Sequence, residues 1–165
     1  MIQRTMHVRL PALAASIAIP LVTGIISSWL TKDAMVRFGQ LNQPPLSPPA
    51  WLFPVAWSVL YILMGVASYL IFVHEPQTSG EQRLRLVALV LYALQLAVNF
   101  AWSPVFFGLQ AYWVALAMLV VMWAHILALV IIAFRLNPLA GACLVPYLAW
   151  STFAGYLNAG VALLN

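Results

Sequence analysis

Charge is what this chain has least of. Only 6% of its 165 residues are Asp, Glu, Lys or Arg, and the acidic share is just three side chains, Asp33, Glu75 and Glu81. No soluble domain of this length is built on so little charge. Cysteine is almost as scarce: Cys143 stands alone, which excludes an internal disulfide and a cysteine-based metal cluster. His7, His74 and His125 are scattered along the chain. No nucleophile–base pair and no metal-ligand spacing is visible among them. There is no internal repeat, low-complexity tract or domain boundary, so an inverted-repeat transporter has no support. The formal net charge of +4 is a small excess that requires no nucleic acid to explain it.

What fills the chain instead is apolar. Hydrophobic residues make up 65% of it and the mean hydropathy is +0.99. The apolar runs are long and continuous, unlike the short alternating segments of a β-barrel. At about 20 residues per crossing there is room for about five helices, expected near 9 to 30, 51 to 73, 84 to 107, 111 to 134 and 139 to 164. The expected fold is an all-α membrane protein: a five-transmembrane-helix bundle, one domain over residues 1–165, with a long proline-rich loop between helices 1 and 2. Every charged residue except Arg9 and Arg85, each at a helix edge, falls outside those spans. With no acidic group inside a span, coupling to protons or sodium through an intramembrane carboxylate is not expected. Arg4, Arg9, Arg83, Arg85 and Arg135 lie on one side and Lys32 and Arg37 on the other, a bias that favours a cytoplasmic N-terminus and an outer C-terminus. The first run also has the look of a signal peptide ahead of Ser27 and Ser28, but it is long enough to span and nothing after it reads as a soluble mature domain.

The connection from Thr31 to Ala50 is the one long loop. Thr31 or Asp33 is a candidate cap for a short amphipathic turn through Phe38, after which Pro44, Pro45, Pro48 and Pro49 impose extended backbone. Two readings stay open for it, a stiff lid or a rigid linker that orients helix 2. Around this loop the chain sets Trp, Tyr, Asn and Gln inside apolar runs, where polar groups are costly and mark sites. At 1.5 Å per residue Trp57 lies roughly 9 Å below Trp51 and Tyr61 roughly 15 Å below it. From the ends of helices 3 and 5, Asn99 is roughly 12 Å deep, Gln95 and Trp150 roughly 20 Å, and Asn158 roughly 9 Å. Three helices thus offer amides and aromatics in the half of the membrane beneath the loop, as a pocket for a flat, mostly apolar ligand requires.

On helix 3, Gln95, Asn99, Trp102 and Phe106 form one stripe, and Ala93, Ala97 and Ala101 form a small-residue stripe on another side. The alanine face suits close packing, within the bundle, which is the commoner case, or across a homodimer. Gln95 and Asn99 read equally well as interhelical glue and as ligand contacts. Trp29, Trp51 and Trp113, at span ends, read as interfacial anchors. His125 reads as a neutral, hydrogen-bonded packing residue, and Met64, Met118 and Met122 as filler.

The motifs Pro20 with Gly24, Pro48-Pro49-x-Trp51, Pro54-x-x-Trp57-x-x-x-Tyr61-x-x-Met64-Gly65, Gln95-Leu96-x-x-Asn99-x-x-Trp102, Phe106-Phe107-Gly108, and Pro146-Tyr147-x-x-Trp150 through Asn158 cover most of the chain. With them the chain resembles the tryptophan-rich sensory protein and mitochondrial translocator protein family, also called peripheral benzodiazepine receptors. The resemblance implies five transmembrane helices, frequent homodimers, and a cavity under the first loop that takes porphyrins, haem and synthetic isoquinoline or benzodiazepine ligands. Its pocket residues carry over to Trp57, Gln95, Asn99, Trp102, Trp150 and Ala154; Trp57 and Trp150 match tryptophans linked to light-dependent porphyrin breakdown. Tyr61, Phe106, Asn158, Pro48 and Trp51 complete the expected lining, with Lys32 and Arg37 as candidate propionate contacts, no metal, and no cofactor beyond porphyrin or haem as ligand. The chain departs from the family at Gln43-Pro44-Pro45-Leu46, where many members have Lys-Pro-x-Trp, and at Leu157 to Asn165, which lacks the aromatic and basic residues of the animal sterol motif. That tail and the lack of a targeting extension look bacterial. The expectation is a multi-pass protein of a bacterial cell envelope that binds tetrapyrrole in a sensing, regulatory or transport role. Two alternatives accompany it: a light-dependent porphyrin-degrading enzyme, and a passive transporter of porphyrin or sterol-like lipids.

Overall fold

The computed structural model of the chain describes residues 8–165, and the side chains of all of these except 33–38. Five long helices follow one another: α1 Leu10–Phe38, α2 Leu52–Phe72, α3 Ser79–Ser103, α4 Tyr112–Leu136 and α5 Pro138–Leu164, with a π-helical turn, Pro104–Gly108, after α3. No strand occurs among the described residues. α1 packs on α2, α2 on α5, α5 on α4, α4 on α3 and α3 back on α1, which closes a ring around a shared core. Four segments are long and apolar enough to cross a membrane: Leu10–Lys32, Leu52–Phe72, Ser79–Gly108 and Tyr112–Leu136. The protein is a multi-pass membrane protein. Large apolar side chains such as Ile25, Leu86, Val114 and Leu163 stand on the outside, where a lipid bilayer is their natural surrounding.

α5 has 27 residues and is not among those four. Its sequence is diluted by Tyr147, Ser151 and Asn158, and these are buried inside the bundle while Val145, Tyr156 and Leu163 face outward. Hydropathy counts the first group against the helix although lipid never meets them.

The helix boundaries depart from expectation in three places. α1 continues through Phe38 rather than stopping near residue 30, because nothing between Ile25 and Phe38 is Gly or Pro. Thr31 caps no separate turn: it is buried in mid-helix, and its hydroxyl donates to the Ser27 carbonyl at 2.9 Å, the return bond typical of a helical Thr. The side chain of Asp33, the other candidate cap, lies outside the described residues. α3 begins at Ser79, earlier than its apolar run. Thr78 is its cap, its hydroxyl accepting from the Glu81 N–H at 3.1 Å, while the Glu81 carboxylate accepts from the Gln77 N–H at 2.7 Å. This is a close relative of the capping box. At its other end Pro104 lacks an N–H, and the chain widens into the π turn closed by Leu109 N–H to the Pro104 carbonyl at 2.9 Å.

Two glycines let α1 and α2 approach closely. A Cβ on Gly65 would lie 2.5 Å from Ile17 Cα, so α1 and α2 touch main chain to side-chain-free main chain there. A Cβ on Gly24 would run into the Tyr61 ring, which packs against α1 at that point. With little hydrophobic drive between helices inside lipid, such close approach is what holds them.

The 39–51 connection folds back onto the end of α5. Asn42 and Asn165 exchange hydrogen bonds, Asn42 N–H to Asn165 Oδ1 at 3.0 Å and Asn165 Nδ2 to the Asn42 carbonyl at 2.9 Å. Tyr156 donates to the Pro45 carbonyl at 2.7 Å, and Pro44 sits so close to Gly160 that a Cβ there would meet its ring at 2.5 Å.

Candidate ligand site among the helices

α2, α3 and α5 converge on a chain of polar groups in the middle of the bundle. The Tyr61 hydroxyl donates to Asn99 Oδ1 at 2.9 Å; Asn99 Nδ2 donates to the Tyr147 hydroxyl at 3.3 Å; Tyr147 in turn donates to Gln95 Oε1 at 2.7 Å. Each group passes a donated hydrogen to the next. All four residues are buried, Gln95 and Tyr147 completely. The last amide, Gln95 Nε2, has no hydrogen-bond partner among the described residues. Buried donors are ordinarily satisfied, since leaving one unpaired costs about 1–3 kcal/mol.

The spacing of Gln95, Asn99 and Trp102 explains why one helix supplies so much of this: at four and three residues apart they share a face. One turn above the relay, Trp102 Nε1 donates to Asn158 Oδ1 at 3.2 Å, and Asn158 Nδ2 donates to the Tyr112 carbonyl at 2.9 Å. Asn158 therefore ties α3, α5 and the start of α4 together. Trp102 stacks on Phe106 with ring centroids 4.8 Å apart, and Phe106 meets Tyr112 at 5.2 Å.

Aromatic rings cover the relay. Trp57 lies 5.3 Å from Tyr61 and 6.2 Å from Tyr147, centroid to centroid, and Trp150 lies between Phe53 at 6.1 Å and Phe153 at 5.8 Å. Trp57, Trp102, Trp150 and Ala154 are half-buried, whereas the amides behind them are buried. Trp51, 66% exposed at the start of α2, stands apart from these clusters, and Pro48 is half-buried in the loop. Trp29 and Trp113 are similarly exposed. Lys32 is exposed at the end of the α1 span, its ammonium 5.9 Å from the Trp29 ring centroid; the side chain of Arg37 lies outside the described residues, as do Arg4 and His7.

Comparison with known proteins places the chain in a family. The TspO/MBR family model fits residues 16–164. The chain belongs to the TspO/MBR family. The tryptophan-rich sensory protein of Cereibacter sphaeroides is 42% identical to this TspO/MBR chain over 128 residues, 78% of this chain and 76% of that protein. A tryptophan-rich protein TspO of Chlorobaculum tepidum is 35% identical over 161 residues, 97% of this chain and 99% of its own length. The human translocator protein is 33% identical over 148 residues, 90% of this chain and 86% of its own.

Within this TspO/MBR chain two contributors to the cluster were missing from the expected lining. Tyr147 is the hub of the relay; it stood in the Pro146-Tyr147-x-x-Trp150 motif but not among the expected lining residues. Met122 was read as filler, but its sulfur lies 3.5 Å from the Tyr147 hydroxyl. His125 Nδ1 sits 2.8 Å from the Val121 carbonyl one turn back. A carbonyl only accepts, so Nδ1 carries the hydrogen. Among the described residues no group of three His, Cys, Asp or Glu is placed to hold a metal ion.

Proposed function

We propose that this protein binds a tetrapyrrole, a porphyrin or haem, between α2, α3 and α5 and serves in tetrapyrrole sensing, regulation or transport. The observation that carries the reading is the unpaired Gln95 Nε2, a donor at the end of a filled hydrogen-bond relay and behind a cover of half-buried tryptophans. Such a place suits a flat, apolar ring system with few acceptor atoms at its edge. Trp57 and Trp150 flank the macrocycle, Asn99 and Gln95 orient it, and Lys32 and Arg37 meet its propionates at the mouth. α5 forms a fifth crossing beside the four apolar spans, so the whole chain is a single five-helix domain, in a bacterial membrane with its N-terminus in the cytoplasm. Two copies pair through α3, where Ala93 and Ala97 are exposed on the outer face of the bundle and offer a close-packing surface.

The test is a protoporphyrin titration of the purified chain in detergent, following tryptophan fluorescence. Saturable one-to-one quenching that weakens about tenfold in Trp57→Phe with Trp150→Phe, the fold being intact by circular dichroism, is the expected result. Quenching that never saturates, or that ignores both substitutions, rejects the site.

One observation favours a second reading. Trp57 sits between two phenols, Tyr61 and Tyr147, an arrangement suited to reversible one-electron exchange with a photo-excited ligand, the porphyrin being the net electron donor, dioxygen the terminal oxidant, and the aromatic side chains restored at the end. Illuminating the same complexes separates the two: porphyrin loss that needs Trp57 makes the protein an enzyme, and equal loss with Phe in its place leaves it a binder.

A further inference from the structure

The end of the bundle opposite the proline loop carries a different kind of feature. A groove of about 340 Å³ runs along the beginning of α3, lined by Ser79, Gln82, Arg83, Arg85, Leu86 and Leu89. That volume is at the small end of the roughly 300–1,000 Å³ of ligand sites. Its lining changes character along the helix. Ser79, Gln82 and the two arginines form the first part and the leucines the second, and from Leu86 to Gly108 the chain has no charged residue. Ser79 to Leu89 is roughly 15 Å of helix, the distance from a headgroup layer into the upper acyl region.

The arginines here lack the carboxylates that would ordinarily neutralise them. Glu81, the one acid in the first turn of α3, turns its carboxylate to the 74–77 bend, where it accepts from the Gln77 N–H and lies 3.7 Å from His74 Nε2. Arg85 spends one N–H on the His74 carbonyl at 2.9 Å, which fixes its side chain against the bend. A guanidinium carries five N–H donors, so most of its capacity remains. Arg83 is exposed and makes no ion pair or hydrogen bond among the described residues.

We propose that this groove binds the phosphate headgroup of an anionic phospholipid, Arg83 and Arg85 holding the phosphate, Ser79 and Gln82 the polar remainder, and Leu86 and Leu89 the first part of an acyl chain. Clusters of Arg beside a membrane span attract anionic lipid, each contributing by its proximity to the charged surface, and the planar guanidinium matches a phosphate in two-point contact. A free phosphate ion would satisfy the arginines and leave the leucines without a role. The site is independent of the tetrapyrrole reading: it lies at the other end of the bundle and shares no residue with it.

Native mass spectrometry of the purified full chain, given equal amounts of dioleoyl phosphatidylglycerol and dioleoyl phosphatidylcholine, tests it. Wild type retains the glycerol lipid about fivefold over the choline lipid, the effect of one well-placed cation at a membrane surface. Arg83→Lys keeps the preference, and Arg83→Glu brings it to parity. Arg83 is exposed and makes no hydrogen bond or ion pair among the described residues, so these variants are expected to fold, and Arg83→Gln at unchanged thermal stability is the control. Equal retention of both lipids by wild type, or an unchanged preference in Arg83→Glu, overturns the proposal. Loss of the preference in excess inorganic phosphate, but not in sodium chloride of equal ionic strength, assigns the groove to a soluble anion and also overturns it.

Discussion

Tyr147 shows how one side chain can decide the chemistry of a site. It accepts from Asn99 and donates to Gln95, and nothing of it is exposed. Interhelical hydrogen bonds in membranes average only about 0.6 kcal/mol, because the separated helices find other partners. An orphaned group inside a packed bundle is a different case, costing about 1–3 kcal/mol. Tyr147→Phe leaves both Gln95 heteroatoms unpaired and removes the acceptor for Asn99 Nδ2. A loss of about 1–2 kcal/mol is therefore expected in denaturant unfolding followed by circular dichroism in detergent. Adding Gln95→Leu should recover part of that loss, since the amide left stranded is then gone. A double variant whose loss equals the sum of the two single losses would mean the relay does not act as a unit. Of this relay, three members were legible in the sequence: an Asn, a Gln and a Tyr in apolar surroundings are costly unless they have partners. The fourth, Tyr147, was named in a motif but not placed in the site, because a phenol near helix mid-length reads as easily as a lipid-facing aromatic, and only the rotation of α5 about its axis decides between them. That rotation is set by long-range packing on α2 and α4.

At the scale of the helix, contacts made by missing side chains matter more than those made by large ones. Gly65 stands where a Cβ would lie 2.5 Å from Ile17 Cα and 2.8 Å from the Ser16 carbonyl oxygen, both main-chain atoms that cannot rotate away. Gly108, in the π turn, has nothing within 4 Å. Gly65→Ala should therefore push α1 from α2 and cost about 1–3 kcal/mol, while Gly108→Ala should be within about 0.5 kcal/mol of wild type. Thermal unfolding of both variants in one detergent checks the pair, and equal melting temperatures would deny the close approach of α1 and α2. The sequence located the apolar core of every helix, since continuous runs between charged residues leave few alternatives. It was weaker at the ends. α1 overran its apolar span by several residues because polar residues such as Thr31 and Lys32 continue a helix as well as they end one, absent a Gly or Pro. α3 began early because Thr78 and Glu81 cap it, a signal that lies outside the hydropathy pattern altogether.

For the whole molecule the issue is parity. Four apolar spans alone would return the chain to the side on which it began, and a fifth crossing by α5 would not. The packing bears on this. α5 lies beside α2 and α4, and its 27 residues make roughly 40 Å of helix, more than the roughly 30 Å hydrocarbon layer. Tyr147 and Asn158 are turned inward onto Gln95, Trp102 and Tyr112 rather than toward lipid. The 39–51 connection between α1 and α2 is joined to the end of α5 through Asn42 and Asn165. Because that connection follows the first crossing, it lies on the side opposite the N-terminus, and the bond to Asn165 draws the C-terminus to the same side. The two ends of the chain are thus expected on opposite faces of the membrane. Reporter fusions that are active on only one side, placed in turn at each terminus, read this directly. Opposite signals are expected from the two fusions. The same signal from both would require α5 to enter and leave on one face, which its buried polar stripe and its hold on the 39–51 connection would then have to survive.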